Sequence, residues 1–240
     1  MIILEEKQMI KAIFFDLDGT LLPMNEELFT KKYFSLLCNK FPHYEKEKLI
    51  STIYEGTMAM YKNDGRFTNE EVFWNVFKQK YGNIEDKSLF DEFYVNEFKE
   101  TQKCCLDNPL AKQIVDFCNE HFEYVILSTN PIFPLIGTLT RMSFVGLKKD
   151  DFDFITSYEN SSYCKPNPMY FKTLLDKFNL KPEEVILFGN NTLEDGECSY
   201  ACGIKCYMVG EFLIKPDKTK HTFKEIKMEE VIPTLKEYID

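Results

Sequence analysis

Five short apolar runs along the chain have the pattern of buried β-strands. Most are continuous rather than alternating, and they span Ala12–Phe15, Tyr124–Ser128, Phe154–Ser157, Val185–Phe188 and Cys206–Val209. Continuous apolar runs are typical of strands covered on both faces, as in a parallel sheet between two layers of helices. The pattern therefore predicts a sheet of five parallel strands.

Helical patterns lie between the later apolar runs. Asn108–Glu120 and Asn167–Phe178 each begin with Asn-Pro, which supplies a capping side chain and a proline in the first turn. Leu193–Cys202 ends before Gly203, a residue that favours a helix C-terminus. Strands that alternate with helices predict an α/β fold, here a doubly wound, Rossmann-like parallel sheet with right-handed crossovers.

Residues 23–103 have a different pattern, without a clear buried strand. Aromatic and aliphatic side chains recur there at helical spacing, first at Phe29, Tyr33, Leu36 and Leu37, then at Phe90, Phe93, Tyr94 and Phe98. We predict an all-helical insertion placed directly after the first strand. The α/β core domain would then consist of residues 1–22 and 104–240, interrupted by a helical domain at 23–103.

The charge balance excludes some partners. The chain has 29 Lys and Arg residues against 39 Asp and Glu residues, a formal net charge of −10. No basic field is available to attract phosphate backbones, so broad nucleic-acid binding is not expected. Arg66 and Arg141 are the two arginines, which leaves few guanidinium groups for paired phosphate contacts.

The sequence also favours a cytoplasmic protein. The apolar residues of Met1–Ile10 are interrupted by charges and lack a following cleavage site, so this stretch is not expected to be a signal peptide. No run approaches the ~18 apolar residues of a membrane helix, so no membrane association is expected. With no export signal, we interpret the eight cysteines as reduced thiols.

The most informative segment is Asp16-Leu17-Asp18-Gly19-Thr20-Leu21, directly after the first strand. Carboxylates at i and i+2 of an extended chain share one side, at the strand end where open α/β sheets bind ligands. Like charges this close require a cation or a proton to neutralise them. Gly19 permits a tight turn, so the segment predicts a ligand-binding or catalytic carboxylate pair.

This segment resembles the first motif of the haloacid dehalogenase (HAD) superfamily, and three later segments resemble the remaining motifs in order. They are Leu127-Ser128-Thr129-Asn130, Lys165-Pro166, and Phe188-Gly189-Asn190-Asn191-Thr192-Leu193-Glu194-Asp195. The resemblance covers roughly residues 11–210. The helical insertion resembles the cap that many members carry at this point, and the resemblance implies hinges near Leu22–Met24 and Lys103–Leu106.

The resemblance implies phosphoryl transfer through an aspartyl-phosphate, with Mg²⁺ as cofactor. Asp16 would be the nucleophile, Asp18 the general acid and base, and Lys165 a positive charge beside the phosphate. The phosphate would be bound by Lys165, by Thr129 and Asn130, and alternatively by Ser128. The metal would be held by Asp16, Asp18, Asn190 and Asp195.

The fourth motif departs from the family pattern at one position. The family usually has an acid where this chain has Asn190, with a second acid at the position of Asp195. An amide carbonyl can ligate Mg²⁺ but adds no negative charge. We therefore expect a weaker metal site rather than loss of catalysis.

The leading hypothesis is a Mg²⁺-dependent phosphatase that hydrolyses a small phosphate monoester. A sugar phosphomutase, or a phosphonate hydrolase with Lys31 or Lys32 as a Schiff-base lysine, would use the same core. A degenerate HAD-like protein that binds ligands without turnover is the non-enzyme alternative. The sequence carries no signal for the oligomeric state, and Tyr33, Tyr61, Lys62 and Arg66 are weak candidates for substrate specificity.

Overall fold

A six-stranded parallel sheet forms the centre of the molecule in a computed structural model, which describes residues 9–82 and 87–239. The strands are β1 (Ala12–Phe15), β2 (Tyr124–Leu127), β3 (Phe154–Ile155), β4 (Val185–Gly189), β5 (Lys205–Val209) and β6 (Lys224–Ile226). Their order across the sheet is β3-β2-β1-β4-β5-β6. The first eight residues, which carry most of the signal-peptide argument, lie outside the described part of the chain.

The register of the central strands sets the position of the site. Phe15 is aligned with Leu127 of β2 on one side and with Phe188 of β4 on the other. The residues that follow these three strands therefore emerge side by side at one edge of the sheet. Motifs that are far apart in sequence meet there for this reason.

Helices cover both faces of the sheet, as predicted for a doubly wound fold. They include α5 (Pro109–His121), α6 (Leu135–Ser143), α7 (Met169–Phe178), α8 (Cys198–Tyr200) and α9 (Val231–Lys236). Ala12 and Phe14 pack in the cluster that contains Phe171 of α7. Ile13 and Phe15 pack in the opposite cluster with residues of α5. Alternate residues of β1 are thus buried on opposite faces, which explains its continuous apolar run.

The segment from 23 to 103 contains helices α1 (Glu26–Lys40), α2 (Lys46–Tyr61), α3 (Asn69–Tyr81) and α4 (Lys87–Val95), then a 3₁₀-helix (Glu97–Cys104). We call residues 23–103 the helical insertion. Helix α3 begins with a capping box, in which Thr68 and Glu71 satisfy each other's backbone amides. Its placement after β1 agrees with the sequence analysis, and its treatment as a separate domain stays a proposal.

The chain enters and leaves the helical insertion at one place. The Leu106 amide donates to the Pro23 carbonyl at 2.8 Å, and Met24 forms an antiparallel bridge with Cys105. These residues lie within the two segments predicted as hinges.

Four local features differ from the sequence expectation. Strand β6 was not predicted, because two of its three residues are exposed and polar. Helix α6 was not predicted either, because its mixture of Thr, Gly and apolar residues lacks a capping side chain. The predicted helix 193–202 begins instead with a π-helical turn at Thr192–Glu197. Asn108 does not cap α5 with its side chain, which donates to the Leu21 carbonyl at 2.9 Å instead.

Two further observations concern the cysteines and the helices. All eight cysteines are free thiols. Within residues 9–82 and 87–239, no helix is both long enough and apolar enough to cross a membrane.

Candidate active site

The carboxylate pair lies at the carboxyl edge of the sheet, at the bottom of a cavity of about 290 Å³. Asp16 directly follows β1, and its amide donates to the Phe188 carbonyl at 2.9 Å. Leu17 is fully buried, while Asp16 and Asp18 on either side of it both line the cavity. The predicted shared side of the two acids is confirmed by this arrangement.

A tight turn holds the segment after Asp18. Gly19 has a φ of +82°, and its amide donates to the Leu22 carbonyl at 2.8 Å. A Cβ at position 19 would lie only 2.0 Å from the Asn190 side-chain nitrogen. Glycine is therefore required twice, by its backbone conformation and by the close approach of Asn190.

Lys165 forms the centre of a buried ion cluster. Its Nζ donates to Asp16 Oδ1 at 2.8 Å and to Asp195 Oδ1 at 2.5 Å, and Lys165 and Asp195 are each 1% exposed. Burial raises the pKa of Asp16 to about 8, with Asp195 and Asp18 adding to the effect and Lys165 opposing it. Burial acts to lower the pKa of Lys165, but the two carboxylates outweigh it, so that its pKa lies well above the ordinary value.

Asp195 is occupied on both of its carboxylate oxygens. Oδ1 accepts from Lys165, and Oδ2 accepts from the backbone amides of Asn190 and Asn191 at 3.1 and 3.0 Å. The π-helical turn makes this possible, because it brings the Asp195 side chain back against Gly189, where a Cβ would lie 2.4 Å from Asp195 Cγ. This placement makes Asp195 a partner of Lys165, and its expected part in the metal site, directly or through water, stays a prediction.

Three oxygen donors remain for a cation. Asp18 Oδ1 is buried without a hydrogen-bond partner, and Asp16 Oδ2 receives one long bond, from the Thr20 hydroxyl at 3.4 Å. The Asn190 side-chain nitrogen donates to the Phe212 carbonyl at 2.8 Å, which leaves its amide oxygen as an acceptor. Carboxylate and amide oxygens are the ligands that Mg²⁺ prefers, so these residues fit the ion. In the described part of the chain, no three His, Cys, Asp or Glu side chains cluster as a metal site by themselves.

The second motif contributes residues with different surroundings. Thr129 lines the cavity, whereas the Ser128 hydroxyl donates to the Phe15 carbonyl at 3.2 Å and lies behind the strand end. Asn130 connects motifs, since its Nδ2 donates to the Lys165 carbonyl and its Oδ1 accepts from the Lys165 amide, each at 3.2 Å. Thr129 is therefore the better placed hydroxyl.

Arg141 is the residue that sequence reasoning missed. It lies on α6, is 1% exposed, and donates from Nη1 to Asp18 Oδ2. Its guanidinium lies 4.3 Å from the centre of the Phe133 ring, and Nη2 donates to the Thr138 hydroxyl at 3.2 Å. Arg141 could have been noticed as one of only two arginines, placed in an otherwise uncharged segment. Its direction towards the site could be inferred only once α6 was recognised as a helix.

Glu194 and Tyr61 join the site to the helical insertion. The Tyr61 hydroxyl donates to Glu194 Oε1 at 3.1 Å, and Asn130 Nδ2 donates to Glu194 Oε2 at 2.9 Å. Burial raises the pKa of Glu194, opposed by Lys165. Among the other weak candidates, Tyr33 lines the cavity, whereas Lys62 and Arg66 are not among its described lining residues.

The chain is similar in sequence to known proteins. The family model for haloacid dehalogenase-like hydrolases matches residues 10–195. A phosphoglycolate phosphatase from Photorhabdus laumondii subsp. laumondii is 24% identical over 238 residues, which cover 95% of each chain.

Solved structures share the fold. A HAD phosphatase from Thermococcus onnurineus superposes with a TM-score of 0.58 and 17% identity, over 94% of this chain and 98% of that one. HAD family enzyme bt-2542 from Bacteroides thetaiotaomicron, in complex with magnesium and inorganic phosphate, gives a TM-score of 0.53 and 18% identity, over 84% and 94%. The motifs, the sheet order and the family match lead to one conclusion: the chain belongs to the haloacid dehalogenase-like hydrolases.

Proposed function

We propose that the protein is a phosphatase that hydrolyses a small phosphate monoester through a covalent intermediate on Asp16. The observation that carries this proposal is the buried Asp16 carboxylate, held at 2.8 Å by Lys165 and facing a cavity shared with Asp18 and Thr129. The phosphatase names of two relatives support the same reaction class.

In this mechanism, an Asp16 carboxylate oxygen attacks phosphorus and the bond from phosphorus to the ester oxygen breaks. Asp18 gives a proton to the departing alcohol, and then takes a proton from the water that attacks the phosphoryl-aspartate. Lys165 offsets negative charge on Asp16 and the phosphoryl oxygens, and the Thr129 hydroxyl donates to one of those oxygens. The products are the free alcohol and inorganic phosphate, and Asp16 is regenerated.

Arg141, which lies outside the four motifs, is proposed to control when Asp18 can transfer a proton. Its guanidinium donates to Asp18 at the cavity wall, and a phosphoryl oxygen is a competing acceptor for the same N–H groups. Entry of the ester would therefore draw Arg141 towards the phosphate and free the Asp18 carboxyl for proton transfer.

Mg²⁺ is the proposed cofactor, held by oxygens of Asp16, Asp18 and Asn190. When bound, the ion supplies positive charge that offsets the repulsion between a dianionic ester and a carboxylate. The magnesium and phosphate in the complex of bt-2542 support this proposal. Asp195 would act on the site through Lys165 and the backbone of Asn190.

A phosphate-release screen over sugar phosphates, nucleotides and phospho-amino acids, with and without Mg²⁺, tests the function. We expect hydrolysis that is lost on chelation and falls by at least ~10³-fold in Asp16→Asn, which lacks the nucleophile. Metal-dependent hydrolysis that survives in Asp16→Asn would exclude Asp16 as the nucleophile.

The same screen separates the alternatives. A phosphomutase would return the phosphoryl group to its substrate, and release little inorganic phosphate. A phosphonate hydrolase needs a lysine at the cavity, but Lys31 is paired with Glu27 at 2.5 Å, and neither Lys31 nor Lys32 is among the described lining residues. A binding protein would form a beryllium-fluoride adduct at Asp16 without hydrolysing any ester.

Because all eight cysteines are free, we also propose a reducing compartment, the cytoplasm.

A further inference from the structure

The cavity above the carboxylates is walled mainly by aromatic side chains. Of the described residues that line it, eleven are aromatic, and nine of these belong to the helical insertion. We call this part of the cavity the aromatic chamber, and its walls include Tyr33, Phe34, Tyr54, Trp74 and Phe133. Aromatic rings bind apolar and flat groups well, by burial and by edge or face contacts.

Several polar atoms of the aromatic chamber are already engaged with other protein atoms. The hydroxyls of Tyr33 and Tyr94 are hydrogen-bonded at 3.2 Å, and Trp74 Nε1 donates to the Tyr158 hydroxyl at 3.3 Å. The Thr57 hydroxyl donates to a backbone carbonyl of its own helix at 2.9 Å. A hydroxyl-rich alcohol would lose its bonds to water here and gain few in return.

The charges of the aromatic chamber select against a second anion. Glu26 and Asp91 line it from the helical insertion, and Glu194 lines it from the core. The helical insertion contributes no lysine or arginine to the wall, as far as residues 23–82 and 87–103 are concerned. Arg141 is engaged with Asp18, at the phosphate end. A positive group would instead meet both acidic side chains and aromatic faces.

We propose that the substrate is a phosphate monoester whose alcohol half is a compact aromatic ring system, either uncharged or positively charged. This inference rests on the proposed function, because it places the phosphate at Asp16 and Lys165. A cavity of about 290 Å³ is at the lower end of the range for small-molecule sites, which favours a compact ring system.

Five esters test this substrate class in the presence of Mg²⁺. Benzyl phosphate, 4-(aminomethyl)benzyl phosphate and 4-carboxybenzyl phosphate share one ring and differ in a para substituent that is uncharged, positive or negative. Glucose 6-phosphate and 2-phosphoglycolate lack a ring of this type. We expect kcat/KM for the first two to exceed that for the other three by about tenfold or more. Equal or higher values for glucose 6-phosphate or 2-phosphoglycolate would overturn the inference and leave the phosphatase function intact. Hydrolysis of none of the five would overturn the function and the inference together.

Two variants locate the effect in the aromatic chamber. Phe34→Leu changes a wall residue whose ring packs against Tyr54 with ring centres 5.0 Å apart. Trp74→Leu changes a second wall residue. We expect either change to raise KM for benzyl phosphate severalfold, and to reduce the kcat/KM preference for benzyl phosphate over glucose 6-phosphate by a similar factor. Phe67→Leu, at an exposed phenylalanine outside the cavity, is the matched control. Unchanged benzyl phosphate kinetics in both chamber variants would contradict the proposal.

A third variant tests the charge argument. Asp91→Asn removes one negative charge from the wall, so kcat/KM for 4-carboxybenzyl phosphate is expected to rise severalfold relative to benzyl phosphate. A rise of the same size for both esters would show that charge does not discriminate between them, which contradicts this part of the proposal.

Discussion

The two halves of the cavity are built in different ways. At the carboxyl edge of the sheet, Asp16, Lys165 and Asp195 form a buried cluster in which each charge has a charged partner within 2.8 Å. In the helical insertion, the wall consists mainly of packed rings, and the polar atoms of Tyr33, Tyr94 and Trp74 are hydrogen-bonded to other protein side chains. The edge owes its chemistry to short motifs at strand ends, whereas the wall owes its character to helix packing. The comparison suggests that reaction and specificity depend on separate parts of the chain.

The largest expected effect concerns the edge. Lys165→Met leaves the buried carboxylates of Asp16 and Asp195 without their cation, and breaking such a cluster from one side costs about 3–5 kcal/mol of unfolding free energy. We also expect turnover to be lost. Urea unfolding measures the stability change, and Lys172→Met, at an exposed lysine, should change it by less than ~0.5 kcal/mol. A loss in Lys165→Met no greater than in this control would contradict the role of the cluster.

A smaller effect is expected from restoring the family's acid at the edge. Asn190→Asp adds a carboxylate beside Asp16 and Asp18, so Mg²⁺ should bind about tenfold more tightly, and the variant should lose stability when no metal is present. Calorimetric titration and the shift of Tm on adding Mg²⁺ measure both effects without relying on activity. Gln79→Glu adds the same charge at an exposed position of α3. Equal Mg²⁺ affinities in wild type and Asn190→Asp would refute the expectation of a weakened metal site.

On the wall side, Glu26 should make stability depend on pH. Partial burial, with Asp18 and Glu194 nearby, raises the pKa of Glu26 to about 7. Between the ordinary pKa of 4.5 and about 7 the folded state binds more protons than the unfolded state, so ionisation of Glu26 lowers stability as pH rises through this window. Glu26→Gln should therefore be more stable than wild type at pH 8, by about 1 kcal/mol since the side chain keeps contact with solvent, and should gain nothing below the ordinary pKa. Thermal unfolding across pH measures this effect, and Glu47→Gln, in the first turn of α2, is the control. A gain in the stability of Glu26→Gln that does not depend on pH would argue against this mechanism.

An effect of similar or smaller size is expected where the two halves meet. Tyr61→Phe removes the hydroxyl that bonds Glu194 and Asn130, and these two remain bonded to each other at 2.9 Å. We expect a loss of about 0.5–1.5 kcal/mol, with faster hydrogen exchange in α2. Tyr200→Phe changes an exposed hydroxyl of the core and should leave α2 unaffected. If exchange in α2 is the same in both variants, Tyr61 does not hold the helical insertion against the edge.

The elements that the sequence predicted best are those whose burial depends on the sheet alone. β1 spans the predicted Ala12–Phe15 because Lys11 and Asp16 bound a run that is buried on both faces. β6 was missed because an edge strand with exposed Lys224 and Glu225 lacks an apolar pattern. Helix α6 was missed because its contacts with α4 and the Glu97–Cys104 turn, not a local pattern, define its buried face.

The site shows the same division. The positions of Asp16 and Asp18 were predictable, because strand ends meet at one edge. Lys165 lies in the loop between β3 and α7, so its place followed from the resemblance alone. The orientation of the Asp195 side chain was not predictable, because it depends on a π-helical turn that the local sequence pattern does not indicate. Arg141 reaches Asp18 across 123 residues of chain, so its contact depends on tertiary packing.

The two places where the chain enters and leaves the helical insertion lie next to each other. The backbone crosses from the core at Pro23 and returns at Leu106, where a hydrogen bond of 2.8 Å joins the two crossings. The residues between these crossings are attached to the core at two adjacent points, so their number does not alter the alignment of β1 with its neighbours. If the helical insertion selects the substrate, as proposed, such an attachment would allow its helices to change while the residues at the edge of the sheet stay in place.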